Sequence, residues 1–135
     1  MKLSKLSVNT YRITHLMGWG NYTRVFLIGS SVPEVNSTTL KKCIDTVPDF
    51  IRLSKSLAVN PHHITHIRRN GDRSADVLVA GVWLPVSRRR ISPVVNQLRS
   101  RPDISVKGLI QFYRGHELPG LPDEPIIFNP IGKQV

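Results

Sequence analysis

Three consecutive arginines, Arg88-Arg89-Arg90, are the densest concentration of chemistry in the chain. A guanidinium is planar, always charged, and donates in a fork that matches a phosphate or the O6/N7 edge of guanine. The triplet stands just before a stretch with helical spacing. A helix N-terminus disfavours nearby cations unless an anion is there too, and such termini bind anions well. A phosphate resolves that conflict; a solvated basic turn is the plain alternative. Arg68-Arg69 is a weaker pair, equally readable as a solvated face. His62-His63-x-x-His66 imitates a metal-ligand spacing, but no Cys or carboxylate stands beside it. Phosphate contact or solvent exposure is a better reading than zinc. Cys43 shares helical spacing with Leu40 and Ile44 and reads as a buried, inert thiol. We find no carboxylate pair suited to a cleft, no nucleophile elbow and no phosphate-binding glycine loop. No catalytic residue, metal ligand or cofactor is expected.

The charge of the whole chain points the same way as the arginine triplet. Nineteen Lys and Arg face nine Asp and Glu, a net charge of +10 on 135 residues. Such an excess attracts polyanions: nucleic acid, ribosomal RNA or an anionic membrane surface. The first 33 residues hold Lys2, Lys5, Arg12 and Arg24 and no acid, whereas the chain from Arg99 onward is nearly balanced. The polyanion is therefore expected to meet the first two thirds. A 40% hydrophobic content suffices for a core of one domain. Apolar runs are too short to cross a membrane, and no secretory signal core follows Lys2 and Lys5. A single cysteine allows no internal disulfide and fits a reducing cytoplasm.

The elements that must position these groups are short. Tyr11–Leu16 and Tyr22–Ile28 read as two strands joined by a turn at Gly18-Trp19-Gly20-Asn21. Leu40, Cys43, Ile44 and Val47 form one helical face, capped by Asn36 or Ser37 and stopped by Pro48. Phe50–Leu53 is a strand, Leu57–Val59 is apolar again, and Lys55 sits in the polar gap between them. Ile64–Arg68 is a strand before the turn dipeptide Asn70-Gly71. Ala75–Val79 and Val82–Val86 form a further hairpin around Gly81. Ile91, Val94, Val95 and Leu98 mark a second helix, with Ser92 as cap and Pro93 as first helical residue. A last short strand is expected at Leu109–Tyr113, and the Pro/Gly-rich run 118–125 continues neither helix nor central strand. No internal repeat is visible. The sum is a mainly β fold of about ten short strands in small sheets with two short helices.

Four blocks in this order resemble the LytTR family. They are Gly20-Asn21-Tyr22-Thr23-Arg24-Val25, then Ser37-Thr38-Thr39-Leu40-Lys41, then the stretch from Phe50 to Asn60, and finally Leu84-Pro85-Val86-Ser87-Arg88-Arg89. The resemblance covers roughly residues 8–98. It implies an elongated β fold of three sheets that binds duplex DNA through loops, reaching successive major grooves and bending the duplex. The family's base-reading positions fall on Tyr22 with Asn21 beside it, on Lys55, and on Arg89. This chain has Ser54-Lys55 where members often have His-Arg. The implied layout is a LytTR-type domain over 1–101 and an extension over 102–135, packed on the domain or trailing from it. No receiver domain is expected within these 135 residues.

The chemistry of these positions suits the implied role. Asn21 has an amide that can pair with adenine N6 and N7, although a turn bond would also occupy it. Tyr22 either contacts DNA or packs. Arg24 is the next outward position along the strand and suits a phosphate. Lys55 is a point charge for a phosphate or one guanine acceptor, or an ordinary exposed lysine. Ser87, Arg88, Arg89 and Arg90 complete the expected DNA-binding set. Arg52, between Ile51 and Leu53, reads as partly structural, its head seeking a carboxylate or carbonyl. Trp19 is exposed, or packs on a sugar or a partner. The expected function is that of a cytoplasmic bacterial transcription regulator binding promoter DNA, with paired repeats and two protomers on one duplex compatible with it. The alternative is an RNA or single-strand binder, or a protein-interaction adaptor with a basic surface. A stacking sheet for RNA would want more exposed aromatics than Trp19, Tyr22, Phe26 and Tyr11, which follow no stacking motif.

Overall fold

A computed structural model of the chain describes residues 2–70, 73–101 and 111–114, with the side chains of 70 and 111–114 left aside. The chain divides into two compact units, residues 1–63 and 64–135.

The N-terminal unit begins with a short helix, α1 (Leu3–Val8), and a single 3₁₀ turn. A five-stranded antiparallel sheet follows in the order β3-β2-β1-β5-β4. Its strands are β1 (Ile13–Trp19), β2 (Tyr22–Leu27), β3 (Glu34–Asn36), β4 (Ile51–Ser54) and β5 (Leu57–Val59). The helix α2 (Leu40–Asp45) is inserted between β3 and β4. Alternation along β2 is plain: Tyr22 and Arg24 are exposed while Thr23, Val25 and Leu27 are buried. Val25 and Leu27 join Leu6, Ile13, Leu16, Leu40, Cys43, Val47, Phe50 and Ala58 in one apolar core. The expected face of α2 is therefore the buried one, with Ile44 packed partly against it.

Two details of this unit differ from the sequence reading. Trp19 belongs to β1 rather than to the turn, and pairs directly with Tyr22. That leaves a two-residue connection, Gly20-Asn21, with Gly20 at φ 60 and Asn21 at ordinary negative φ. A positive φ at the first position alone is the pattern of a II′ hairpin turn, whose twist matches the strands. The cap of α2 is Thr39, whose hydroxyl accepts from the Lys42 N–H at 3.4 Å. Asn36 cannot serve, because it is consumed as a buried β3 residue paired with Thr23.

The C-terminal unit holds a four-stranded sheet in the order β8-β7-β6-β9. Its strands are β6 (Ile64–Asn70), β7 (Ser74–Val79), β8 (Val82–Val86) and β9 (Gln111–Arg114). The first three form an antiparallel meander; β9 runs parallel to β6 and lies at the sheet edge. A 3₁₀ turn over Arg88–Arg90 leads into α3 (Ile91–Arg99), which buries Ile91, Val94, Val95 and Leu98. Here Pro93 is the third helical residue and the cap is Arg90, not Ser92. Pro is tolerated there because a first-turn N–H has no intrahelical partner in any case.

Nine strands in two sheets and three helices thus make a mainly β fold among the described residues. The third sheet implied by the resemblance is not among them. The additional helix is α1, and the Pro/Gly-rich run 118–125 lies outside the described residues, as does Gly71.

Each unit opens its sheet with the same device. Ile13-Thr14-His15 starts β1 and Ile64-Thr65-His66 starts β6, each with a register shift between the Ile and the His. The Thr14 hydroxyl lies 2.9 Å from His15 Nδ1 and donates to the Phe26 carbonyl at 3.2 Å. The Thr65 hydroxyl lies 3.1 Å from His66 Nδ1 and donates to the Leu78 carbonyl at 3.5 Å. Each buried imidazole is thus anchored at Nδ1 by the hydroxyl of the residue before it.

Candidate nucleic-acid interface

Two hairpin ends lie side by side at one end of the N-terminal sheet. The β1–β2 turn carries Asn21 and Tyr22, and the β4–β5 turn carries Lys55. Strand β5 starts beside Met17, and the Gly18 N–H donates to the Ser56 carbonyl at 2.8 Å. That bond ties the two ends together. The structure therefore gathers Asn21, Tyr22, Arg24 and Lys55, and all four are exposed.

The support beneath this end is dense. Leu40 of α2 approaches β1 so closely that a Cβ added at Gly18 would lie 2.9 Å from Leu40 Cβ. Only glycine fits that approach without a shift. The Thr23 hydroxyl donates to the Thr38 carbonyl at 2.7 Å and ties β2 to the segment before α2. On β4, Arg52 turns its guanidinium onto the neighbouring turn, with Nε donating to the Ser54 carbonyl at 2.9 Å and Nη2 to the Lys55 carbonyl at 2.6 Å. Lys55 is held by its backbone while its ammonium stays in solvent. Arg24 lies over the Trp19 ring, 4.8 Å from its centroid, in a cation–π contact.

In the C-terminal unit, Arg88 and Arg89 are exposed, and Ser87 and Arg90 are half-buried. The Arg90 N–H donates to the Ser87 carbonyl at 2.8 Å, which rolls the triplet into its 3₁₀ turn. No acid stands in the first turn of α3, and Arg90 gives it no side-chain cap. The positive end of a nine-residue helix therefore adjoins three cations.

Arg68 is not in the same state. It pairs with Asp76 at 3.2 Å and stacks over Trp83 at 4.3 Å. Its guanidinium is thus engaged by a carboxylate and a ring of its own sheet. Among the described residues no group of three His, Cys, Asp or Glu could hold a metal ion. His63 Nε2 is 2.8 Å from the Tyr11 carbonyl, and burial lowers the His66 pKa to about 4. Cys43 is buried, and burial pushes its thiol up, opposed by a hydrogen bond with Thr23. Sequence reasoning left Trp19 undecided; its placement opposite Tyr22 follows only from the two-residue turn.

These features define a basic β domain with exposed cations on hairpin ends and on the turn before a helix. Residues 6–99 match the family model described as the LytTr DNA-binding domain, and the chain belongs to that family. No curated protein matches the sequence significantly. Among solved structures, the fold is similar to the LytTr DNA-binding domain of a protein described as a methyl-accepting/DNA response regulator from Bacillus cereus. The identity is 19% and the TM-score 0.57, over 67% of this chain and 84% of that one. No described helix is long and apolar enough to cross a membrane.

Proposed function

We propose that the chain binds duplex DNA at specific sequences and regulates transcription in the bacterial cytoplasm. The observation that carries this reading is the paired hairpin end of the N-terminal sheet, where Asn21, Tyr22, Arg24 and Lys55 stand exposed on backbone pinned by Gly18, Thr23 and Arg52. A two-stranded ribbon fits the major groove, which is about 12 Å wide. Asn21 presents an amide to adenine, Lys55 a point charge to guanine or phosphate, and Arg24 a phosphate contact. Arg88 and Arg90 anchor phosphates next to the helix N-terminus, and Arg89 reads guanine through its fork. Ser87 supplies a hydroxyl on the same turn. Two protomers on paired repeats are consistent with this reading, and residues 1–101 form its DNA-binding part with 102–135 as an extension.

The test is selection of bound duplexes from a random pool at physiological salt, followed by affinity measurements on the selected site. Arg89→Ala is expected to cost about 1–3 kcal/mol on that site and much less on unrelated duplex. Lys41→Ala, on the exposed face of α2, is expected to change neither. Failure to enrich any duplex, or tighter binding of matched single strands at equal salt, overturns the proposal.

A further inference from the structure

We propose that Trp19, together with Tyr22, reads a thymine through its 5-methyl group. The inference rests on the reading of this hairpin end as a DNA contact and deepens it. Trp19 and Tyr22 are direct cross-strand partners on either side of Gly20-Asn21. Their rings therefore share a sheet face. Both are largely exposed, at 64% and 54%. Arg24, two residues beyond Tyr22, is on that face too and covers one part of the indole with its guanidinium.

The end of the ribbon is thus an apolar front with a cation at its side. That combination selects what it can meet in a major groove. Guanine, adenine and cytosine offer donors and acceptors there, and an aromatic ring laid on these strips them of water without replacing the bonds. The thymine methyl is the apolar group of the groove, and it gains from the same burial. Arg24, already on the outer side of the indole, is placed for the adjoining phosphate. Stacking on Trp19 also restricts both side chains before binding, so less freedom is lost when the duplex arrives.

The prediction is read by removing one methyl at a time. On the selected site, each thymine is replaced singly by deoxyuridine, and affinity is measured for the whole chain. At one or two positions the wild type is expected to lose about three- to tenfold, the scale of a single buried methyl. A 5-methylcytosine at the same position is expected to bind better than cytosine. Trp19→Ala is expected to bind thymine and uracil duplexes equally. Trp19→Phe, which keeps a smaller apolar ring, retains part of the discrimination. Wild-type indifference to every methyl overturns the inference, as does undiminished discrimination in Trp19→Ala. Either result leaves specific duplex binding intact, whereas absence of any selected duplex removes the reading beneath both.

Discussion

Arg52 shows how a charged side chain can serve a site without touching what the site binds. It lies half-buried on β4, and its two bonds close onto the carbonyls of Ser54 and Lys55. The fork geometry matters, since two donors of one rigid plane reach two carbonyls at once. Arg52→Lys keeps the charge and loses the fork. Stability is expected to fall by about 1 kcal/mol in urea melts, and affinity for the selected duplex by several-fold. If Arg52 acts by holding Lys55, then Lys55→Ala costs less in the Arg52→Lys background than alone. Additive losses would show that Arg52 acts elsewhere. The two strand-opening histidines make a different prediction. His15 stacks on Phe26 with centroids 4.2 Å apart, and burial lowers the pKa of both His15 and His66 to about 4 from 6.5. Below the ordinary value the unfolded chain binds protons that the folded chain refuses, so stability must fall as pH drops toward 4. The slope is about 1.4 kcal/mol per pH unit for each histidine. Urea midpoints are expected to decline between pH 7 and pH 5, and to decline less steeply when both residues are Gln. An unchanged slope in the double variant would show that these imidazoles charge freely in the folded state.

At the scale of elements, the β7–β8 hairpin carries visible strain. Its turn residues, Ala80 and Gly81, sit at φ 48 and φ 83. Positive φ at both places is the I′ pattern, which suits Asn-Gly and penalises an L residue with a plain Cβ. Ala80 is exposed, so nothing packed has to move. Ala80→Asn is expected to stabilise by about 0.5–1 kcal/mol, read as a higher melting temperature with duplex affinity unchanged. A lower melting temperature would mean that the strain is already relieved. The turns themselves were legible, Ala80-Gly81 between runs rich in Val and Gly20-Asn21 as the end of the expected Gly18–Asn21 turn. So were the buried faces of α2 and α3, whose apolar residues keep helical spacing. Ends were harder. The α2 cap moved to Thr39 because pairing with Thr23 had removed Asn36 from contention, and a strand's last pair is set by tertiary register. Helix α1 was missed because Leu3 and Leu6 alone mark its inner side amid Ser and Lys. The Ile-Thr-His device went unseen as a repeat because only those three residues are identical, while the register shift and hydroxyl bonds that define it exist only in three dimensions.

For the whole molecule, net charge announced a polyanion but could not say which cations meet it. Arg24 and Lys55 are distant in sequence, and only the order β2-β1-β5-β4 brings their turns to one sheet end. Arg68, the weaker candidate by sequence, is engaged by Asp76 and Trp83. This sorting has a measurable consequence in the salt dependence of binding. Each phosphate neutralised releases counterions and contributes roughly −0.9 to the slope of log affinity against log salt on duplex DNA. Five cations are proposed to meet the duplex: Arg24, Lys55, Arg88, Arg89 and Arg90. If all five neutralise phosphates, the slope for one bound protomer is about −4.5, a loss of roughly 500-fold between 50 and 200 mM salt. A cation that reads a base instead lowers affinity when removed but leaves the slope nearly unchanged. Arg24→Ala and Arg88→Ala are each expected to flatten the slope by about 0.9, and Arg89→Ala to flatten it little while relaxing sequence preference. Arg68→Ala is expected to lower stability through the loss of its ion pair and its stacking, with the slope of the folded protein intact. A slope shallower than about −2, or one that Arg68→Ala flattens as much as Arg24→Ala does, would mean that the cations exposed on these turns are not the ones that meet the phosphates.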